Sequence, residues 1–271
     1  MARVTRFAPS PSGPLHLGHA YAALVAAERG ERFLLRIEDI DRARCKPEWE
    51  AAIYDDLRWL GLRWETPVMR QSERPTVYEA ALAHLSQSGL TYHCTCTRGD
   101  IRAALSAPQE GAQIGPDGPV YPGTCRGKRH GAGALRLDMG AAMARLGDVF
   151  FTDTGTRPGL HRFDAGRMVR EVGDIVLARK DIGVAYHLAV VVDDAAQGIT
   201  EVTRGEDLFE ATAIHVVLQR LLGLPTPAYH HHRLIRDAQG KRLAKRDDAR
   251  ALAKYRAEGA TPGDIRRLVG L

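Results

Sequence analysis

Apolar and polar positions alternate through residues 3–8, a period of two that predicts a strand. A Pro/Ser/Gly turn at residues 9–14 follows, and the alanine-rich run over residues 17–31 then takes a helical period. A strand, a tight loop and a helix in this order are how α/β nucleotide sites begin. A second strand at 33–37 ends in Glu38 and Asp39, and helices are predicted at 47–60 and 75–88, the latter stopped by Gly89. The alternation predicts a parallel sheet with helices packed on its faces.

After Leu90 the texture changes. Cysteines arrive, then a Gly/Pro/Gln-rich stretch at 107–119 too polar to pack, then strand-like pieces at 135–137 and 149–152. These features predict an inserted α+β subdomain at 90–181, between the two halves of a Rossmann-like parallel α/β domain at 1–89 and 182–225. The apolar run 185–192 fits either a strand or a short buried helix. A strand at 199–203 and a helix at 208–222, closed by Gly223 and Pro225, resume the parallel pattern. Residues 226–271 form a basic C-terminal segment with three consecutive histidines, a Gly-Lys turn at Gly240 and Lys241, and a short helical end. No internal repeat or low-complexity block interrupts the chain.

With 271 residues, 44% apolar and 26% charged, the chain can bury a core, and disorder or a fibre is excluded. The longest apolar stretch, at 188–192, is far short of a bilayer span, and the first ten residues have neither a signal core nor a transit composition. A soluble cytoplasmic chain, without a membrane partner and monomeric, is expected. Four cysteines at 45, 94, 96 and 125 are too few and too uneven for a secreted disulfide framework, which leaves thiols or metal ligands. The net charge of +5 is concentrated: residues 226–271 hold eleven basic and five acidic side chains. Such a stripe is either a solvated face or a surface for RNA or polyphosphate.

The string Arg6-Phe-Ala-Pro-Ser10-Pro-Ser-Gly-Pro-Leu-His16-Leu-Gly18-His19 puts two imidazoles three apart where a helix begins. Orphan N–H groups and the positive end of the helix dipole favour an anion there, and Gly13 and Gly18 leave room for a nucleotide. A bare His-x-x-His would be an ordinary helix start; the preceding strand and the full string make it a nucleotide site. The string resembles the HIGH-type signature of class I aminoacyl-tRNA synthetases in its glutamyl form. Leu35-Arg-Ile-Glu38-Asp39-Ile-Asp41-Arg42-Ala-Arg44 resembles the next glutamyl motif, as do the stretches around Tyr186 and Arg204. Glu38 at a strand end can pair with a substrate ammonium, and Arg6 can fork a side-chain carboxylate. The resemblance implies Arg6, Ser10, Glu38, Tyr186 and Arg204 as the glutamate site, with His16, Gly18, His19 and Lys245 at ATP and its Mg2+.

Lys245 sits in Gly240-Lys-Arg-Leu-Ala244-Lys245-Arg246, which resembles the KMSKS loop, whose lysine meets the charge on leaving pyrophosphate. Here Ala244 replaces the usual Ser. Cys94-Thr-Cys96 with Tyr121 and Cys125 offers three thiolates and a phenol; spacing alone leaves structural zinc and reduced thiols open, with His93 and His130 as rival ligands. The arrangement resembles a Zn2+ site of one subfamily, which implies Cys94, Cys96, Tyr121 and Cys125 as ligands. The three histidines 230–232 are expected at the nucleotide pocket rim or in solvent, since adjacent histidines seldom chelate one ion.

The chain stops about 25 residues after the KMSKS-like loop, too few for an anticodon-binding domain. This shortness, with the cysteine pattern, is similar to the paralogues that activate L-glutamate and place it on queuosine in the anticodon loop of tRNA(Asp). Alternatives are a short glutamyl-tRNA synthetase charging the tRNA 3′ end, an RNA-independent adenylating ligase, and a non-catalytic RNA-binding remnant, the last motivated by Ala244.

Overall fold

The computed structural model describes residues 2–105, 113–179, 181, 183–236 and 250–271. Three parallel strands open the chain, β1 (Val4–Phe7), β2 (Arg32–Ile37) and β3 (Glu65–Arg70), with α1 (Leu17–Arg29) and α2 (Pro47–Trp59) as the crossovers. After α3 (Pro75–Gln87) come β4 (Thr91–Cys94), α4 (Arg98–Leu105), the short hairpin β5 (Ile114–Gly115) and β6 (Gly118–Pro119), and β7 (Ala134–Leu137). Next are α5 (Met139–Leu146), the hairpin β8 (Val149–Asp153) and β9 (Gly159–Phe163), the single turn α6 (Ala165–Arg167), β10 (Val176–Arg179) and β11 (Gly183–Val184). The chain ends with α7 (Tyr186–Ala196), β12 (Glu201–Gly205), α8 (Thr212–Leu221), β13 (Ala228–His232), α9 (Leu252–Ala257) and α10 (Pro262–Val269).

Two half-sheets form the α/β core. One has the order β3-β2-β1, the other β12-β13-β8-β9, with β12, β13 and β8 parallel and β9 antiparallel at the edge. They meet at one end only: Val4 N–H donates to Thr200 Oγ1 at 2.8 Å and Thr200 N–H to Val4 O at 3.0 Å. Farther along, the Arg6 side chain donates to Thr203 O, and no backbone ladder joins β1 to β12. Because the chain leaves β1 toward β2 on one side and has β12 on the other, this seam is the topological switch point where α/β folds bind ligands.

The run 185–192 is a helix rather than a strand. Residues from His187 to Asp194 of α7 are all buried, so a helix apolar on every face packs inside the core instead of beside it. Strand β3 escaped the sequence reading because it is an edge strand with three exposed and three half-buried residues, leaving no alternation to detect. Within 90–181 an antiparallel sheet of order β11-β10-β7-β4 forms, but β8 and β9 join the second half-sheet. Val149, Phe151 and Asp153 of β8 point inward on alternate positions, which seats that hairpin on the α/β core.

One hydrophobic cluster joins α1, α2 and the first strands, and Leu252, Ile265 and Val269 of the C-terminal helices complete it. Thr261 and Asp264 form a capping box that starts α10 and directs these apolar positions inward. Ala251 bridges to His16, and Leu252 N–H donates to Leu15 O at 2.8 Å. The C-terminal segment is thus tied to the mouth of α1. Among the described residues no helix is long and apolar enough to cross a membrane.

Candidate active site

A cavity of about 390 Å³ opens at the seam. Arg6 of β1, His16, Gly18 and His19 at the start of α1, and Glu38 after β2 line one side. Tyr186 of α7, Thr203 and Arg204 of β12 and His232 of β13 line the other.

His16 is the N-cap of α1. Its Nδ1 accepts the Gly18 N–H at 3.1 Å, while His19 Nδ1 accepts the His16 N–H at 3.1 Å, and the two rings lie 3.8 Å apart. A ring nitrogen that accepts a hydrogen bond carries no proton, so each neutral imidazole keeps its proton on Nε2. Two N–H donors therefore stand at the positive end of a helix dipole, in a first turn with no acidic residue. Gly18 is part of the device: a Cβ there would lie 2.9 Å from His16 Cε1 and 3.1 Å from its Nδ1.

Beside this mouth, Arg6 donates through Nε to Asp194 Oδ1 at 2.9 Å and through an Nη to Oδ2 at 3.3 Å. Arg36, with no exposed side chain, donates to the same Asp194 oxygen at 2.7 Å and to Glu38 Oε1 at 3.1 Å. Two cations and two anions balance in a buried cluster, which burial would otherwise penalise heavily. Burial works against ionisation of Asp194, but Arg6 and Arg36 overcome it and hold the carboxyl below its ordinary range. Burial raises Glu38, against the pull of Arg36 and Arg6. Its second oxygen has no hydrogen bond among the described residues, so an acceptor remains for an ammonium. Neither Asp194 nor Arg36 was singled out from sequence.

Arg204 organises the opposite wall. It donates to His231 Nε2 at 3.3 Å, His215 Nδ1 at 2.9 Å and Thr212 Oγ1 at 2.6 Å. A guanidinium can only donate, and this fixes every proton downstream. His215 donates through Nε2 to His187 Nδ1 at 3.0 Å, and His187 through Nε2 to Asp117 Oδ1 at 3.1 Å. On the other branch, His231 donates through Nδ1 to Asp153 Oδ1 at 2.9 Å. Burial and the Arg204 charge push His215 well below the usual histidine range and His231 down to about 4. The three consecutive histidines are thus not all at the rim or in solvent. On β13 they alternate faces: His231 is fully buried, His232 lines the cavity, and His230 meets Thr154 Oγ1 at 3.1 Å.

A sequence profile described as tRNA synthetases class I (E and Q), catalytic domain, matches residues 3–271. A glutamyl-Q tRNA(Asp) synthetase of Rhodobacter capsulatus is 64% identical over 99% of this chain and 100% of its own length. That observation decides the family. The chain belongs to the class I glutamyl-Q tRNA(Asp) synthetases. A glutamyl-Q tRNA(Asp) synthetase of Nocardia farcinica is 46% identical over 97% of this chain and 82% of its own. The crystal structure of glutamate-tRNA synthetase from Elizabethkingia anophelis superposes with a TM-score of 0.78 at 26% identity. It covers 99% of this chain, which spans 61% of that longer one.

Of the site residues expected in this synthetase family, Arg6, His16, Gly18, His19, Glu38, Tyr186 and Arg204 share the cavity. Ser10 does not line it; its hydroxyl lies 3.6 Å from Cys45 Sγ in the loop before α1. Lys245 and Ala244 lie outside the described residues. The ends flanking that stretch both border the cavity, through Ile235 in its lining and Ala251 bridged to His16.

Away from the seam, the sulfurs of Cys94, Cys96 and Cys125 lie within 4.8 Å of one another. Tyr121 Oη is 3.3 Å from Cys94 Sγ and 3.4 Å from Cys96 Sγ, and Cys96 and Cys125 are 3.5 Å apart. A tetrahedron with Zn–S bonds of about 2.3 Å has sulfur–sulfur edges of about 3.8 Å, so the donor set fits zinc in size and softness. Arg136 stacks 3.8 Å over the Tyr121 ring and the Cys125 N–H donates to its Oη at 2.9 Å, while burial and the neighbouring thiols push the phenol well above its ordinary range. His93 and His130 are not in this cluster. Cys45 is a free thiol, which burial pushes up.

Proposed function

We propose that this chain activates L-glutamate with ATP to glutamyl-adenylate and transfers the glutamyl group to the queuosine base in the anticodon loop of tRNA(Asp). The cavity that brings His16 and His19 together with Arg6, Glu38, Tyr186 and Arg204 carries this reading. The glutamate α-carboxylate is ionised at neutral pH and needs no base to attack the α-phosphate in line. What the chain supplies is alignment and charge. Glu38 takes the ammonium, and Arg6 and Arg204 present N–H groups to the side-chain carboxylate, with the Tyr186 hydroxyl beside them. The Nε2–H groups of His16 and His19 face the phosphates, whose Mg2+ accompanies ATP. Lys245 meets the charge growing on pyrophosphate; that Ile235 lines this cavity and Ala251 bridges to His16, one on each side of Lys245 in the sequence, supports the role.

In this reading Cys94, Cys96, Tyr121 and Cys125 hold a structural Zn2+ that pins the subdomain at 90–181 to the catalytic halves at 1–89 and 182–225. The segment 226–271 adds basic charge for the RNA backbone. A cytoplasmic monomer completes it. The test is to incubate the protein with ATP, labelled glutamate and tRNA(Asp) with or without queuosine, then digest the RNA. Label is expected on the modified base only; label on the terminal ribose overturns the proposal.

A further inference from the structure

A second cavity, of about 180 Å³, shares no lining residue with the first but is built on neighbours of its walls. Consecutive residues serve the two: Asp194 holds Arg6 of the first, while Asp193 accepts from Gln71 Nε2 at 2.9 Å and from the Tyr78 hydroxyl at 2.8 Å, both lining the second. On the neighbouring strand end, Glu38 lines the first and Ile40 the second.

Gln71 is 1% exposed, and its amide orientation is not free. Asp193 is a carboxylate that only accepts, so the nitrogen must face it and Oε1 must face away. That Oε1 is buried and has no hydrogen-bond partner. The Tyr78 hydroxyl and Arg74 Nε go to Asp193 instead. A buried acceptor left unmet costs about 1–3 kcal/mol, a cost that an N–H entering the cavity would relieve. Around it the walls are mainly apolar, with Ile40, Pro75, Leu82 and Val184; of the charged lining residues, both exposed, Arg42 donates through one Nη to Ser72 O and Glu79 comes from α3.

Flat apolar faces, a polar edge that donates, and an anion close by are the features of an unstacked nucleobase on its phosphate backbone. We infer that the second cavity receives an unpaired base of the RNA substrate, from a nucleotide next to the one modified, with an edge N–H donating to Gln71 Oε1 and the backbone passing Arg42. The inference rests on the function proposed above. It makes the cavity the place where the loop is gripped while the neighbouring base reaches the adenylate.

Leu82→Trp and Ala178→Leu fill the cavity from two different elements and touch none of the groups placed at glutamate or ATP. Glutamate-dependent pyrophosphate exchange without RNA is expected within twofold of wild type in both. The KM for tRNA(Asp) in transfer, and the Kd for a labelled anticodon stem-loop hairpin by fluorescence anisotropy, are expected to rise about tenfold or more. Wild-type KM and Kd in a folded variant overturn the inference. Should Leu82→Trp lose exchange together with its thermal transition, Ala178→Leu decides by the same criterion. Failure of the functional reading looks different, because wild-type protein would then show no exchange, or would place the label on the terminal ribose instead of the modified base.

Discussion

An imidazole whose Nδ1 is occupied by a backbone N–H can offer a ligand only its Nε2–H, and both His16 and His19 are in that position. They can donate to phosphate without being charged. Replacing His16 by Ala, or Lys245 by Ala, is expected to lower glutamate-dependent pyrophosphate exchange by about 100-fold, the scale of one lost transition-state donor. The melting temperature should move little; wild-type exchange in either variant contradicts these roles. The buried His231 makes a second, thermodynamic prediction. Burial and Arg204 hold it at about 4 against an ordinary 6.5, so the unfolded chain takes up a proton that the fold resists. Stability is therefore full above pH 6.5 and falls as the pH drops toward 4, by up to about 3 kcal/mol. Urea unfolding at pH 7.5, 5.5 and 4 should show the decline, and His231→Asn should flatten it. Side chains like these divide by legibility. His16, His19 and Glu38 are charged or polar ends of recognisable strings, whereas the roles of Arg36 and Asp194 come from partners 158 and 188 residues away, which nothing local announces.

Among the elements, the opening strand, turn and helix were readable because their pattern is local: β1 and α1 fall within two residues of the expected bounds at every end. Strand β3 lacked alternation, and the sheet joined by β8 and β9 is set by pairing with β13, which no local window contains. The long apolar run of α7 was ambiguous for the same reason, since burial on all sides erases the difference between periods of two and 3.6. The junction of loop and α1 can be tested directly. Gly18→Ala should displace the His16 ring from its cap and cut exchange at least tenfold, while circular dichroism shows an intact fold. Unchanged exchange would mean that the ring position is unimportant.

At the scale of the molecule, the sulfur cluster and the seam are separate supports. Cys125→Ser is expected to lose bound zinc, measured by elemental analysis, and to lower the first thermal transition by several degrees. Equal metal content and melting would remove zinc from the site. The hairpin β5–β6 follows in the same subdomain, and Asp117 at its tip touches His187, so loosening the cluster should also weaken glutamate binding by way of His215 and Arg204. The seam has a further mechanical implication. Two leaves stitched at Val4 and Thr200 behave like a book held by its spine, and across the open margin the Arg6 and Asp194 pair is the clasp. An incoming carboxylate that competes for Arg6 would draw on that clasp, so the width of the margin and the occupancy of the pocket become one variable.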